Sequence, residues 1–166
     1  MLKLRAVAAS RSQRTGRGGA VNEQRATVDC RDGQLIVASY SKTVPGFWVI
    51  NGSFEILPVE VDSARLGAAV DAALEHSGHE FPSPDPSYRP ITPVLDALGL
   101  RSFAAYLKGA TSADVARTGL ITFRSTHNAG TRTGFVEIEG AEFDVASDAT
   151  HDEIGQATRR ALAGAT

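Results

Sequence analysis

The chain has 166 residues, 42% hydrophobic and 22% charged, with a formal net charge of −2. That length suits one domain with a core large enough to fold unaided. No apolar run approaches the ~20 residues a bilayer-spanning helix needs, and the single cysteine, Cys30, excludes an intrachain disulfide or a thiolate metal cluster.

Residues 1–24 show neither strand nor helix periodicity and include RSQRTGRGGA, rich in Arg, Gly, Ser and Thr. This composition predicts a flexible basic leader, followed by a single domain over residues 25–166. MLKLRAVAAS is too short and weakly apolar for a signal-peptide core, so a cytoplasmic protein without membrane contact is expected. Scattered arginines could neutralise phosphates as a nucleic-acid-binding arm. The leader has no interleaved aromatics for base stacking, and direct nucleic-acid binding is not expected. Charge is unevenly placed: residues 1–31 carry seven basic and two acidic side chains, and the remainder ten basic and seventeen acidic. The folded body is therefore acidic, and its complementary partner is basic.

From Ala26 the pattern becomes β. ATVDC and QLIVASYS flank Arg31-Asp32-Gly33 and read as a hairpin. FWVI and FEILP flank Asn51-Gly52, a tight-turn signal, and read as two further strands. Asp62 or Ser63 caps a helix whose apolar stripe is Leu66, Val70, Ala73 and Leu74. GHEFPSPDPSYRP holds four prolines in thirteen residues and is a loop. Two short helices follow, one through Ile91, Val94, Leu95 and Leu98, the other capped by Ser102 and carrying Phe103, Tyr106 and Leu107.

The order then repeats. SADVAR and LITFRS form a hairpin, GFVEI and EFDVA flank Glu139-Gly140-Ala141, and Thr150 with Glu153 fits a capping box opening the last helix. Residues 46–74 and 134–162 align without a gap at an offset of 88, with identities that include Gly46/Gly134, Phe47/Phe135, Gly52/Gly140, Gly67/Gly155 and Leu74/Leu162. The expected fold is α+β: an antiparallel sheet of two related ββββα halves, with helices packed against it and a short helical middle. Phe47, with its twin Phe135, is expected in the core; Trp48 and Tyr40 alternate differently and are expected to be partly exposed.

Catalytic signals are thin. His76 and His79 are spaced as a helical metal pair, but Gly78 breaks the geometry and no third ligand is marked. His127 lies in a loop, and His151 stands beside Asp152 and Glu153 at a helix start. Either could serve a small hydrolase as general base, yet no nucleophile motif accompanies them. No phosphate-cradling or dinucleotide motif is present, and no cofactor is expected. The strongest lead is acidic: Glu137, Glu139, Glu142, Asp144, Asp148, Asp152 and Glu153 occur with no basic residue between Arg132 and Arg159. Strand alternation puts Glu137 and Glu139 on one face, and Glu142 and Asp144 opposite Phe143 and Val145. One sheet face or edge is therefore expected to be acidic, with Asp152 and Glu153 nearby at a helix N-terminus. Ordinary solvation or protection of a sheet edge would place charges the same way.

YSKTVPGFWVINGSFEILP, RLGAAVDAALEHS, PVLDALGLRSFAAYLKGA, LITFRST, GFVEI and EIGQATRRAL, in that order, resemble the immunity proteins of bacterial contact-dependent growth inhibition (CDI) systems. The likeness covers residues 26–163 and is strongest to a branch of about 160 residues. It implies a non-enzymatic inhibitor that binds the C-terminal toxin domain of its system, many such toxins being nucleases with basic surfaces for phosphates. The family carries no shared catalytic residues onto this chain. The candidate toxin-binding residues therefore rest on charge and alternation: Glu137, Glu139, Glu142, Asp144, Asp148, Asp152, Glu153 and Trp48.

Overall fold

The computed structural model describes residues 22–78, 81–82 and 84–166; the expected leader up to residue 21, and His79 of the histidine pair, lie outside them. The chain begins with β1 (Gln24–Arg31) and β2 (Gln34–Lys42), joined at Asp32 (φ 45°) and Gly33 (φ 75°). Two successive positive φ values are what a two-residue hairpin matching the strand twist requires. β3 (Trp48–Pro58) pairs antiparallel with β2. α1 (Ser63–His76) starts where the Asp62 carboxylate accepts from the Arg65 N–H at 2.8 Å. After the proline-rich connection come α2 (Thr92–Ala97) and α3 (Phe103–Leu107), the latter capped by the Ser102 hydroxyl. β4 (Thr111–Arg117), β5 (Ile121–Asn128), β6 (Phe135–Val145) and α4 (His151–Ala163) complete the second half. Thr150 and Glu153 form the expected capping box at the start of α4. Among the described residues, no helix is long and apolar enough to cross a membrane.

The antiparallel α+β architecture is as expected, but each half is βββα rather than ββββα. Asn51-Gly52 does not turn the chain. It lies inside the eleven-residue β3 as an irregularity, with Gly52 at φ 91° and the β2 pairing slipping between Ala38 and Tyr40. The Asn51 side chain explains the choice: its Nδ2 donates to Ser39 Oγ and Ser41 Oγ, both at 2.9 Å, while its Oδ1 accepts from the Ser53 N–H at 3.0 Å. The Ser53 N–H at the irregularity is thus partnered locally, and the strand continues past it. β6 repeats the device, with Gly140 at φ 76° and a slip between Arg124 and Thr126.

The six strands form one sheet in the order β3-β2-β1-β4-β5-β6. Both halves read outward from the central β1–β4 pair, where Thr27 faces Asp114. The two halves are thus related by an approximate two-fold axis through the sheet centre. On one sheet face the same axis governs α1 and α4. A side-chain carbon on Gly67 would lie 1.7 Å from the His151 carbonyl oxygen, and one on Gly155 would lie 1.8 Å from that of Ser63. The two contacts are reciprocal, because Ser63 and His151 are themselves 88 apart, as are Gly67 and Gly155. Only glycine permits this approach. Small residues flank it (Ala69, Ala73, Ala157, Ala161), and Leu66, Val70, Leu74 and Ile154 fill the space down to Val28, Leu35, Ile121 and Phe123.

The other sheet face is covered on one side only. Val94, Leu95, Tyr106 and Leu107 of the helical middle pack on Ile36, with Phe54, Ile56 and Phe135 against them. Phe47 does not join either core; it is 37% exposed. Its carbonyl closes a turn with the Thr43 N–H at 2.8 Å, Gly46 stands at φ 96°, and the residue precedes the first paired position of β3. Phe135 is the half-buried twin, held because it reaches the second cluster.

In an ordinary helix interior, glycine to alanine is neutral or stabilising by up to ~1 kcal/mol. At the crossing the sign reverses. Gly67→Ala and Gly155→Ala are each expected to lower unfolding stability by ~1–3 kcal/mol or more, from overpacking against a neighbouring backbone. Urea denaturation measures this, and an unchanged midpoint would contradict the close approach.

Candidate functional site

Directly opposed residues of antiparallel strands share a sheet face. On the face turned away from α1 and α4, one cross-strand row runs Tyr40, Arg25, Ala116, Thr122, Asp144 from β2 to β6. The next row runs Ala38, Thr27, Asp114, Arg124, Glu142. A third begins Ile36, Asp29, Ser112, and this one disappears beneath α3. The uncovered part is a polar band across the sheet, with Trp48 at its β3 end and the β6 acids at the other.

The band differs from a generic solvated surface in how its charges are paired. Arg124 Nε lies 3.2 Å from Glu142 and 3.9 Å from Glu137. The Thr122 hydroxyl donates to Asp144 at 2.6 Å. Arg25 is drawn to Glu23 at 2.7 Å and holds its guanidinium 5.0 Å above the Trp48 ring. Between these two occupied arginines sits Asp114, half-buried, with no hydrogen bond to its carboxylate among the described residues. Burial pushes the Asp114 carboxyl up to about 7, helped by the negative charges of Glu137 and Asp29 and opposed by Arg25 and Arg124.

Where the band meets α3, a second set of polar groups is buried and paired. Asp29 accepts hydrogen bonds from the hydroxyls of Tyr106 and Ser112. Burial raises the Asp29 carboxyl above its ordinary range, and these donors only partly counter it. Arg31, also buried, donates to the Ala105 and Tyr106 carbonyls at 2.8 and 2.7 Å. Together they tie the helical middle to the central strand.

The sequence-derived acids divide between two surfaces. Glu137, Glu142 and Asp144 lie on the open band, on the same face as Trp48 but at the far edge; Glu139 is exposed beside Gly140 on β6. Asp148 and Glu153, together with Asp144, rim a groove of about 710 Å³ between the end of β6 and α4, floored by Phe143, Val145 and Ala157. Arg160 crosses that groove, its guanidinium 4.0 Å above the Phe143 ring. Asp152 accepts from Gln156 at 2.6 Å on the first turns of α4, and Glu153 serves the capping box, which holds its carboxyl below the ordinary range. The acids thus run from the open band, through Asp144 at the groove, to the first turn of α4, because residues 146–150 carry the chain from the sheet onto the helix layer.

Comparing the repeats locates where the halves diverge. Phe54 and Ile56 of β3 pack against the helical middle, whereas their counterparts 88 residues on, Glu142 and Asp144, are exposed on the open band. One half uses this face as core, and in the other the same face is exposed and charged. Asp114 and Arg124 were not marked by the sequence. The only signal was the alternation of SADVAR, with Asp114 in phase with Ser112 and Ala116, opposite the buried Ala113 and Val115.

Among the described residues, neither candidate histidine has both a nucleophile and a carboxylate bonded to it. His127 Nδ1 lies 3.1 Å from the Thr166 hydroxyl, with no carboxylate bound behind it. His151 Nε2 lies 3.3 Å from Asp71, which also bonds Arg117, and this links α4 to α1 without a nucleophile. Burial raises the Asp71 carboxyl, but its bonds to Arg117 and His151 outweigh that and hold it low. Among the described residues no three His, Cys, Asp or Glu side chains gather as a metal site.

Residues 24–164 match the family model described as CDI immunity protein. Two solved structures share the fold. One is a protein of unknown function, NMB0488, from Neisseria meningitidis: TM-score 0.73, 19% identity, covering 90% of this chain and 99% of that one. The other is a chain of the CdiA-CT/CdiI toxin and immunity complex from Yersinia pseudotuberculosis: TM-score 0.70, 20% identity, covering 88% and 99%. No curated protein matches the sequence significantly.

The Asp29 anchorage makes a prediction that needs no partner. Tyr106→Phe removes one of the two hydroxyl donors to a buried carboxylate and is expected to lower stability by ~1–3 kcal/mol at pH 7. Unchanged urea denaturation would show that Ser112 alone satisfies Asp29.

Proposed function

The chain belongs to the CDI immunity protein family, and on that premise we propose that it acts by binding the C-terminal toxin domain of its own system in a stoichiometric complex. The observation that carries this reading is the extent of the family match, which spans both halves and every described strand and helix. In this reading the protein works in the cytoplasm, without catalysis or cofactor, and blocks the toxin by occupying its surface.

The charge distribution supports a basic partner. Residues 32–166 carry seventeen acidic against ten basic side chains, and Glu137, Glu139, Glu142 and Asp144 are all exposed along one edge strand. A nuclease domain presents cations to hold phosphates, and an acidic face both competes for that surface and speeds encounter by steering. Trp48, at the opposite end of the band and already stacked on Arg25, supplies an aromatic anchor of the kind that concentrates interface energy. We assign Glu137, Glu139, Glu142, Asp144 and Trp48 to the contact; Asp148, Asp152 and Glu153 extend it only if the toxin reaches over the sheet edge to the groove. The hydrolase reading has no support in the surroundings of His127 or His151.

The test is direct. The purified chain is mixed with the toxin domain encoded immediately upstream and examined by calorimetry; a one-to-one complex is expected, and none at micromolar concentration would refute the proposal. Reversing Glu137, Glu139 and Asp144 together to lysine should slow association by roughly 10–100-fold at low salt, with a smaller change in dissociation, and flatten the salt dependence. Unchanged association kinetics would move the contact to another surface.

A further inference from the structure

Asp114 occupies the middle of the sheet, on β4 between Thr27 of β1 and Arg124 of β5. Its surroundings come from every neighbouring strand: Arg25 and Asp29 on β1, Tyr40 on β2, Arg124 on β5, and Glu137 and Glu142 on β6. Two carboxylates, Glu137 and Asp29, act on it against two guanidiniums, and both guanidiniums have other partners. Arg124 is engaged by Glu142 and Glu137, and Arg25 by Glu23 and the Trp48 ring. Half-buried carboxylates normally secure a donor. Asp29, in the next row of the same face, has two hydroxyl donors, whereas Asp114 has none among the described residues. A polar band with a surplus of negative charge and one unpartnered carboxylate at its centre is complementary to a single cationic side chain.

We propose, resting on the toxin-binding reading above, that Asp114 receives a lysine or arginine side chain of the bound toxin domain, inserted on the open sheet face between Arg25 and Arg124. Charge complementarity selects the occupant. An incoming ammonium or guanidinium supplies the donor that Asp114 lacks and offsets the repulsion from Glu137 and Asp29, and the flanking Thr27 and Thr122 hydroxyls offer further acceptors. A neutral or acidic side chain would leave the negative surplus intact.

The protonation state follows from the same surroundings. In the free protein the carboxyl is pushed up to about 7, so it takes up its proton around neutral pH rather than in acid. A cation beside it favours the charged form, so binding expels that proton. The sign is fixed: affinity is full above pH 7 and falls as acid protonates the carboxyl in the free protein. Folding stability runs the opposite way. A carboxyl raised in the folded state stabilises the fold relative to higher pH while it holds its proton, and this contribution is lost as pH rises from the unfolded value near 4 to about 7.

The experiment is calorimetric titration of the full chain with the toxin domain encoded immediately upstream, at pH 6 and pH 8, for the wild type and Asp114→Asn. Wild-type Kd should weaken by roughly tenfold from pH 8 to pH 6, beyond any slope that Asp114→Asn retains. The variant should bind at least roughly tenfold more weakly than wild type at pH 8, the cost of losing one charge-assisted pair. As a control on folding, free Asp114→Asn should melt at a higher temperature than wild type at pH 8, with the difference vanishing near pH 4. A wild-type complex whose affinity and pH slope are untouched by Asp114→Asn overturns this inference and leaves toxin binding standing. Absence of any wild-type complex overturns both. An Asp114→Asn chain destabilised at pH 8 would mark the carboxylate as a structural partner and also overturn the inference.

Discussion

The reciprocal approach of Gly67 to the His151 carbonyl and of Gly155 to that of Ser63 is the constraint on which the rest of the molecule depends. Two helices at that separation act as one slab, wide enough to cover one sheet face from β2 to β6. The apolar stripes then meet the alternating positions of the strands: Val28 and Leu35 on one side of the centre, Phe123 and Ile121 on the other. Because the contact is mutual, it also fixes the two halves about a common axis, and that axis makes β1 and β4 central neighbours. A larger side chain at either glycine would move the slab and every strand position facing it.

With one face closed symmetrically, the asymmetry of the molecule is confined to the other. The helical middle covers Ile36, Phe54 and Ile56 of the first half, and nothing among the described residues covers the corresponding part of the second. Apolar positions there would leave a wide exposed patch, an aggregation liability. Glu142, Asp144, Thr122 and Arg124 keep that face soluble and unoccupied. The repeat thus lets one copy stabilise the fold through both of its faces while the other copy leaves one face exposed and charged.

Local signals in the sequence reached as far as local physics decides. Asp62, Ser102 and Thr150 cap their helices because each satisfies backbone donors within three residues. The Asp32-Gly33 hairpin turns for equally local reasons. Asn51-Gly52 carried the same hairpin signal and did not turn, since Ser39 and Ser41 on the neighbouring strand absorb the Asn51 amide; turn chemistry alone cannot register that. The acidic run was legible as composition, but its division between sheet face and helix layer depends on where the chain leaves β6. Asp114 was the least legible of all. Its neighbours Arg25, Asp29, Arg124 and Glu137 come from three other strands, brought together by a β1–β4 pairing that has no short-range signature.

Asp29 and Asp114 show how the same residue type serves two ends on one sheet face. Both are desolvated carboxylates raised above their ordinary range. Asp29 is closed off by Tyr106 and Ser112, and its burial secures the helical middle. Asp114 is left without a donor two strand positions from Ser112, because the hydroxyl of Thr27, directly across the ladder, is engaged with Tyr40 instead. Raised toward neutrality and without a protein donor, the Asp114 carboxylate adds no stability to the free fold at neutral pH. Placed between two arginines already engaged elsewhere, it is, among the described residues, the one carboxylate of the band open to the cation proposed to arrive from outside the chain.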